Sequence, residues 1–127
     1  MKHFVSALIL GCGLVAAQAN AACDYPVAPG NFPDGTQASK EEMLAGKKTF
    51  TAYDGQMTAY LECLKSEFQA SVAALPPDSP KKQRDELERA LDKKQKTALD
   101  EAESVKNRLN KEIAAYIKLH PPAPKPN

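Results

Sequence analysis

The chain has 127 residues, the length of one domain, with 17 Lys and Arg against 16 Asp and Glu and a formal net charge of +1. A near-neutral protein lacks the electrostatic footprint that draws a chain to nucleic acid or to an anionic membrane, and no long block of one sign supplies one locally. With two histidines and three cysteines in all, a clustered zinc or triad site has few residues to draw on.

The first segment reads as a leader. Lys2 gives a basic start, residues 4–17 (FVSALILGCGLVAA) carry no charge, and Ala19 and Ala21 stand at the −3 and −1 positions of a cut after Ala21. That is the pattern of a secretory signal peptide over residues 1–21. The apolar run falls short of the ~18–20 residues that a spanning helix needs. A competing reading takes Ile9-Leu10-Gly11-Cys12 as a lipoprotein site and anchors the chain by lipid at Cys12. Against it, the apolar run continues past Cys12 through Leu14, Val15 and Ala17. Cleavage after Ala21 removes one base, Lys2, and no acid, leaving 16 bases against 16 acids. It also leaves two cysteines, Cys23 and Cys63. An even count in an exported chain points to a disulfide, with two free thiols or a bridge between chains as the other outcomes.

Residues 22–38 form an extended arm. Pro26, Pro29, Pro33, Gly30 and Gly35 forbid a helix there, and Pro33-Asp34-Gly35 signals a turn. Ser39-Lys40-Glu41-Glu42 fits a capping box and opens a helix predicted over 39–75. Its large apolar residues, Met43, Phe50, Tyr53, Met57, Tyr60, Leu61, Leu64, Phe68, Val72 and Leu75, recur at threes, fours and sevens, which is one helical face. Gly46 and Gly55 each weaken a helix interior by about 1 kcal/mol against Ala, and Asp54-Gly55 leaves two readings open, one continuous helix or two. Pro76-Pro77 ends it. Asp78 or Ser79 is expected to cap a second helix over 80–119 with Pro80 in its first turn. Leu87, Leu91, Ala98, Ala102, Val105, Leu109, Ile113 and Tyr116 make its seam, and Asp85–Arg89 and Asp92–Lys96 are acid-before-base pairs four apart. Residues 120–127 read as an unfolded Pro-rich tail.

The expected fold is therefore all-α: a long antiparallel, coiled-coil-like hairpin with an extended N-terminal arm. A lone hairpin has too much surface for its volume, so something must cover the first helix. The arm is one candidate cover, through Tyr25, Val27 and Phe32; a second copy of the chain, giving a four-helix bundle, is the other. The distance from Ser39 to Cys63 along a helix is about 36 Å. The arm from Cys23 to Ser39 spans up to about 53 Å, so it can double back and reach Cys63.

The stretch Pro33-Asp34-Gly35, Glu42-Met43 and Ala59-Tyr60-Leu61-Glu62-Cys63-Leu64 resembles a pattern in small exported proteins of Gram-negative bacteria. These proteins pair an early mature cysteine and a PDG turn with a helix that carries EM and an AYxxCL-like end. The resemblance covers residues 23–65. It implies a Gram-negative envelope setting, a Cys23–Cys63 bridge and a first helix that runs unbroken past Gly55. It carries no activity.

The remaining chemistry is thin. His120 is the one histidine left after cleavage, and no ligand spacing joins it to the cysteines. Glu88, Glu101 and Glu103 read as a solvated face, and no Gly-rich phosphate loop or CxxC motif is present. No catalytic residue, metal ligand or cofactor is assigned. Met43, Phe50, Tyr53, Met57, Tyr60 and Phe68 are expected to pack as core; left uncovered, they would be a candidate interaction face. The leading expectation is a non-enzymatic periplasmic or secreted protein. It would act on a protein partner or on itself as a homodimer, with no nucleic acid and no stable membrane insertion. The alternatives are a holdase-like periplasmic chaperone, a lipid-anchored envelope protein and a small metal carrier.

Overall fold

In the computed structural model, residues 22–122 are described. The predicted leader, with Cys12, and the last five residues of the tail lie outside them. Two helices make the hairpin, α1 over Lys40–Ala73 and α2 over Lys81–Leu119. At 1.5 Å per residue they run about 51 and 58 Å. Among the described residues no helix is long and apolar enough to cross a membrane.

The capping box forms as the sequence predicts. The Glu42 amide donates to Ser39 Oγ at 3.2 Å, and the Ser39 amide donates to Glu42 Oε2 at 2.7 Å. The Ser39 amide holds the Glu42 carboxyl below the usual carboxylate range. The other end differs from expectation. Pro80 is the N-cap of α2 and no side chain caps it, so the expected Asp78 or Ser79 cap is not made. Ser79 instead closes the loop, its amide donating to Pro76 O at 3.0 Å. The ion pairs also run the other way round. Asp85 pairs with Lys81 at 2.8 Å and Lys96 with Asp100 at 3.1 Å, so neither joins the expected Arg89 or Asp92. Asp85 is half-buried and its partner and the second pair are exposed, so the choice is worth a few tenths of a kcal/mol, too little for spacing alone to decide.

Helix α1 is continuous through Gly46 and Gly55, and the two glycines have different reasons to be there. A Cβ on Gly46 would lie 2.9 Å from Pro33 Cδ, so the arm crosses α1 over this position. A Cβ on Gly55 would meet nothing within 4 Å. Gly55→Ala is therefore expected to raise the unfolding free energy by about 0.5–1 kcal/mol, since only helix propensity changes. Gly46→Ala is expected to lower it, because Pro33 must move. Urea unfolding of the two variants checks the opposite signs.

The core is built by three layers. From α1 come Tyr53, Met57, Tyr60 and Leu64, and from α2 come Ala98 and Val105. Cys23, Ala28 and Phe32 of the arm pack against them. Ala98 is fully buried, and as the smallest side chain of the seam it lets the helices come close. The arm supplies the third layer that a thin hairpin lacks, and it does so by alternation. Pro26 is buried, Val27 is 88% exposed and Ala28 is half-buried. Val27, expected to help cover α1, faces solvent instead. An extended chain turns successive side chains to opposite sides, and here Pro26 and Ala28 have the inner side.

Candidate functional site: the junction of arm and helices

Cys23 and Cys63 form a disulfide with their Cα atoms 5.7 Å apart. The staple joins the start of the arm to the middle of α1. Glu67, one turn beyond Cys63, accepts the Cys23 amide at Oε1 (3.3 Å), and Lys94 of α2 lies 3.9 Å from its Oε2. One carboxylate thus ties the arm, α1 and α2 together. The two sulfurs and a Glu67 carboxylate oxygen lie within 4.8 Å of one another, and all three residues are half-buried.

A second junction centres on Glu101. Its Oε2 accepts Tyr25 OH at 2.9 Å and its Oε1 accepts Tyr53 OH at 3.4 Å. The Tyr25 ring meets Tyr60 edge-on, with centroids 4.9 Å apart. Glu101, read from sequence as part of a solvated face, is half-buried and holds an arm tyrosine to a core tyrosine. Burial, and then the Glu101 carboxylate, push the Tyr25 phenol from 10.0 up to about 12. The same two causes raise Tyr53. Because the folded value exceeds the unfolded one, the unfolded chain loses its proton first as pH rises. The stabilisation is thus fully present below about pH 10 and is lost as pH climbs towards 12. Tyr25 is 40% exposed, so solvent screening makes the effect small. In an alkaline titration followed by tyrosinate absorbance, Tyr25 and Tyr53 should titrate late, and Tyr25→Phe should remove one tyrosine from that late phase.

The third junction holds the far part of the arm. Arg108 donates from both terminal nitrogens, to the carbonyl of Gly30 and, at 2.9 Å, to that of Pro29. Its guanidinium lies over the Phe32 ring, 5.8 Å from the centroid. The Gly35 amide donates to Glu112 Oε2 at 2.9 Å. The turn itself is closed by Asp34, whose Oδ1 accepts the Thr36 amide at 2.8 Å and the Thr36 hydroxyl at 2.7 Å.

Of the six residues offered as a candidate interaction face, Met43, Tyr53, Met57 and Tyr60 are buried, and Phe50 and Phe68 are half-buried. Tyr53, Met57 and Tyr60, with Phe50 packed against them, belong to the core cluster, while Phe68 lines an open cleft between α1 and α2. His120 stacks on Tyr116 at the end of α2 and joins no cysteine. Of the polar residues that position the arm, Glu101 reads from the sequence as a solvated face, and Arg108 and Glu112 carry no assignment there. Their signal is a polar spacing at 101, 108 and 112, steps of seven and four on one helical face beside the apolar seam at Val105. Among the described residues, a shallow cleft beside the staple, lined by Tyr25, Val27, Gln56, Ala59 and Tyr60, stays open at the surface. Comparison with known family models, curated proteins and solved structures returns no match.

Proposed function

We propose that this is an exported, non-enzymatic protein of the Gram-negative envelope that acts through protein contacts made by the stapled arm. The observation that carries the reading is Val27, 88% exposed beside the partly exposed Tyr25, on a segment fastened by a disulfide and by Glu101. An apolar side chain on a rigid, solvent-facing ridge loses little conformational entropy on binding, which favours contact with a partner. The disulfide itself fits an oxidising, extracytoplasmic setting. The partner is a protein, either a second copy of this chain or another envelope component. The holdase reading loses support, because the apolar face of α1 that would cradle an unfolded client is already occupied.

The test places a photo-cross-linking residue at position 27 in cells that export the chain, with a second at Lys48, an exposed position on α1. A discrete adduct from 27, absent from 48 and lost when Tyr25→Ala is added, supports the reading. Equal smears from both positions, or no adduct at all from 27, would remove it. Sedimentation of the purified chain then separates self-association from a foreign partner.

A further inference from the structure

The geometry points to a thiophilic metal site at the staple, made by Cys23, Cys63 and Glu67 once the disulfide is reduced. Cys63 and Glu67 are four apart on α1 and so share a face of the helix, and the arm delivers Cys23 to the same spot. A zinc-like ion binds thiolate sulfur at about 2.3 Å and carboxylate oxygen at about 2.1 Å, which sets the donors of one tetrahedron about 3.6–3.8 Å apart. In the disulfide the two sulfurs are bonded and a Glu67 oxygen lies within 4.8 Å of both, so after reduction the sulfurs must separate, and rotation of the two cysteine side chains supplies that movement. The Cα atoms of the cysteines, 5.7 Å apart, need not move far. Glu67 is already aimed there by its bond from the Cys23 amide.

Charge favours the same class of ion. Two thiolates and a carboxylate place three negative charges around a divalent cation, and the Lys94 ammonium, 3.9 Å from Glu67 Oε2, offsets the excess. The half-buried position leaves the fourth coordination place to water. Soft sulfur donors select zinc or cadmium over magnesium or calcium.

The chemistry has two steps. A dithiol reductant passes two electrons and two protons to the Cys23–Cys63 bond and becomes a disulfide itself. The divalent ion then forms two metal–sulfur bonds and one metal–oxygen bond, and the two thiol protons go to solvent. The ion takes over the tether that reduction removed, so the arm stays docked. The site is thus exclusive to the dithiol form. It does not depend on the partner contact at Val27.

The experiment uses the full processed chain, reduced with dithiothreitol, desalted without oxygen and titrated with Cd2+. Three results are expected: thiolate-to-cadmium absorbance that saturates at one ion per chain, a rise in Tm of the reduced chain, and a flat response from the disulfide form. Glu67→Gln should weaken binding by about tenfold or more. Circular dichroism before and after Cd2+ reports whether the helices stand. Saturation at one ion per two chains, an affinity unmoved by Glu67→Gln, or absorbance without any rise in Tm would each overturn the site, because thiols on an undocked arm would behave that way.

Discussion

Replacing both cysteines with alanine is expected to lower the unfolding free energy by about 4 kcal/mol, the chain-entropy value for a loop of this size. The bridge closes a separation of 40 residues, and removing it frees that loop in the unfolded chain. The native state suffers as well, but unevenly. Residues 23–28 keep the Glu67 and Tyr25–Glu101 hydrogen bonds, both partly exposed. Residues 29–35 keep the Arg108 and Glu112 bonds and the Pro33–Gly46 contact. Exchange of the amide at position 23, which donates to Glu67, should therefore rise while that of Gly35, which donates to Glu112, stays protected. A two-layer hairpin would then be left to bury Tyr60 and Leu64 on that side, which its surface-to-volume ratio makes difficult. Urea denaturation of the double variant against wild type measures the loss. A loss under about 1 kcal/mol would show that the arm docks without its covalent tie.

Gly35→Ala is expected to cost about 3 kcal/mol, the upper end for forcing an atom into filled space. The reason is room, not backbone conformation, since no described glycine has a positive φ. A Cβ at Gly35 would fall inside the carbonyl group of Glu112, 2.8 Å from its carbon, and 2.9 Å from the Tyr116 amide nitrogen. These are helix backbone atoms and cannot turn aside as a side chain would. The arm must lift from α2, and its Gly35–Glu112 hydrogen bond goes with it. Thermal unfolding of Gly35→Ala beside Gly30→Ala makes the comparison, since Gly30 has nothing within 4 Å of its would-be Cβ. Equal losses at the two positions would show that Gly35 is not a point of close approach.

The helices were legible because apolar spacing and capping are local. Ser39, Glu42 and the three-four rhythm of Tyr53, Met57, Tyr60 and Leu64 define α1 without reference to the rest of the chain. The bridge was legible from cysteine count together with the reach of the arm. The arm's docking was not. Prolines and glycines announce an extended segment, but which of Pro26, Val27 and Ala28 turns inward depends on the entry angle set at Cys23, a tertiary quantity. The Gly35 turn was read correctly as a turn; its tight approach to Glu112 lies 77 residues away along the chain. Glu101 and Arg108 hid for a related reason. On a helix dense in charge, a carboxylate that accepts two phenols has the same spelling as one that faces water.

The prolines of the arm have one more effect. Pro26, Pro29 and Pro33 have no amide hydrogen to satisfy, so this extended stretch can lie on helices, which offer it no ladder partner, with few donors stranded. The same lack makes it a poor template for a strand from another molecule. An unhooked arm would swing free without seeding the edge-to-edge growth that a β-branched segment of equal length would invite.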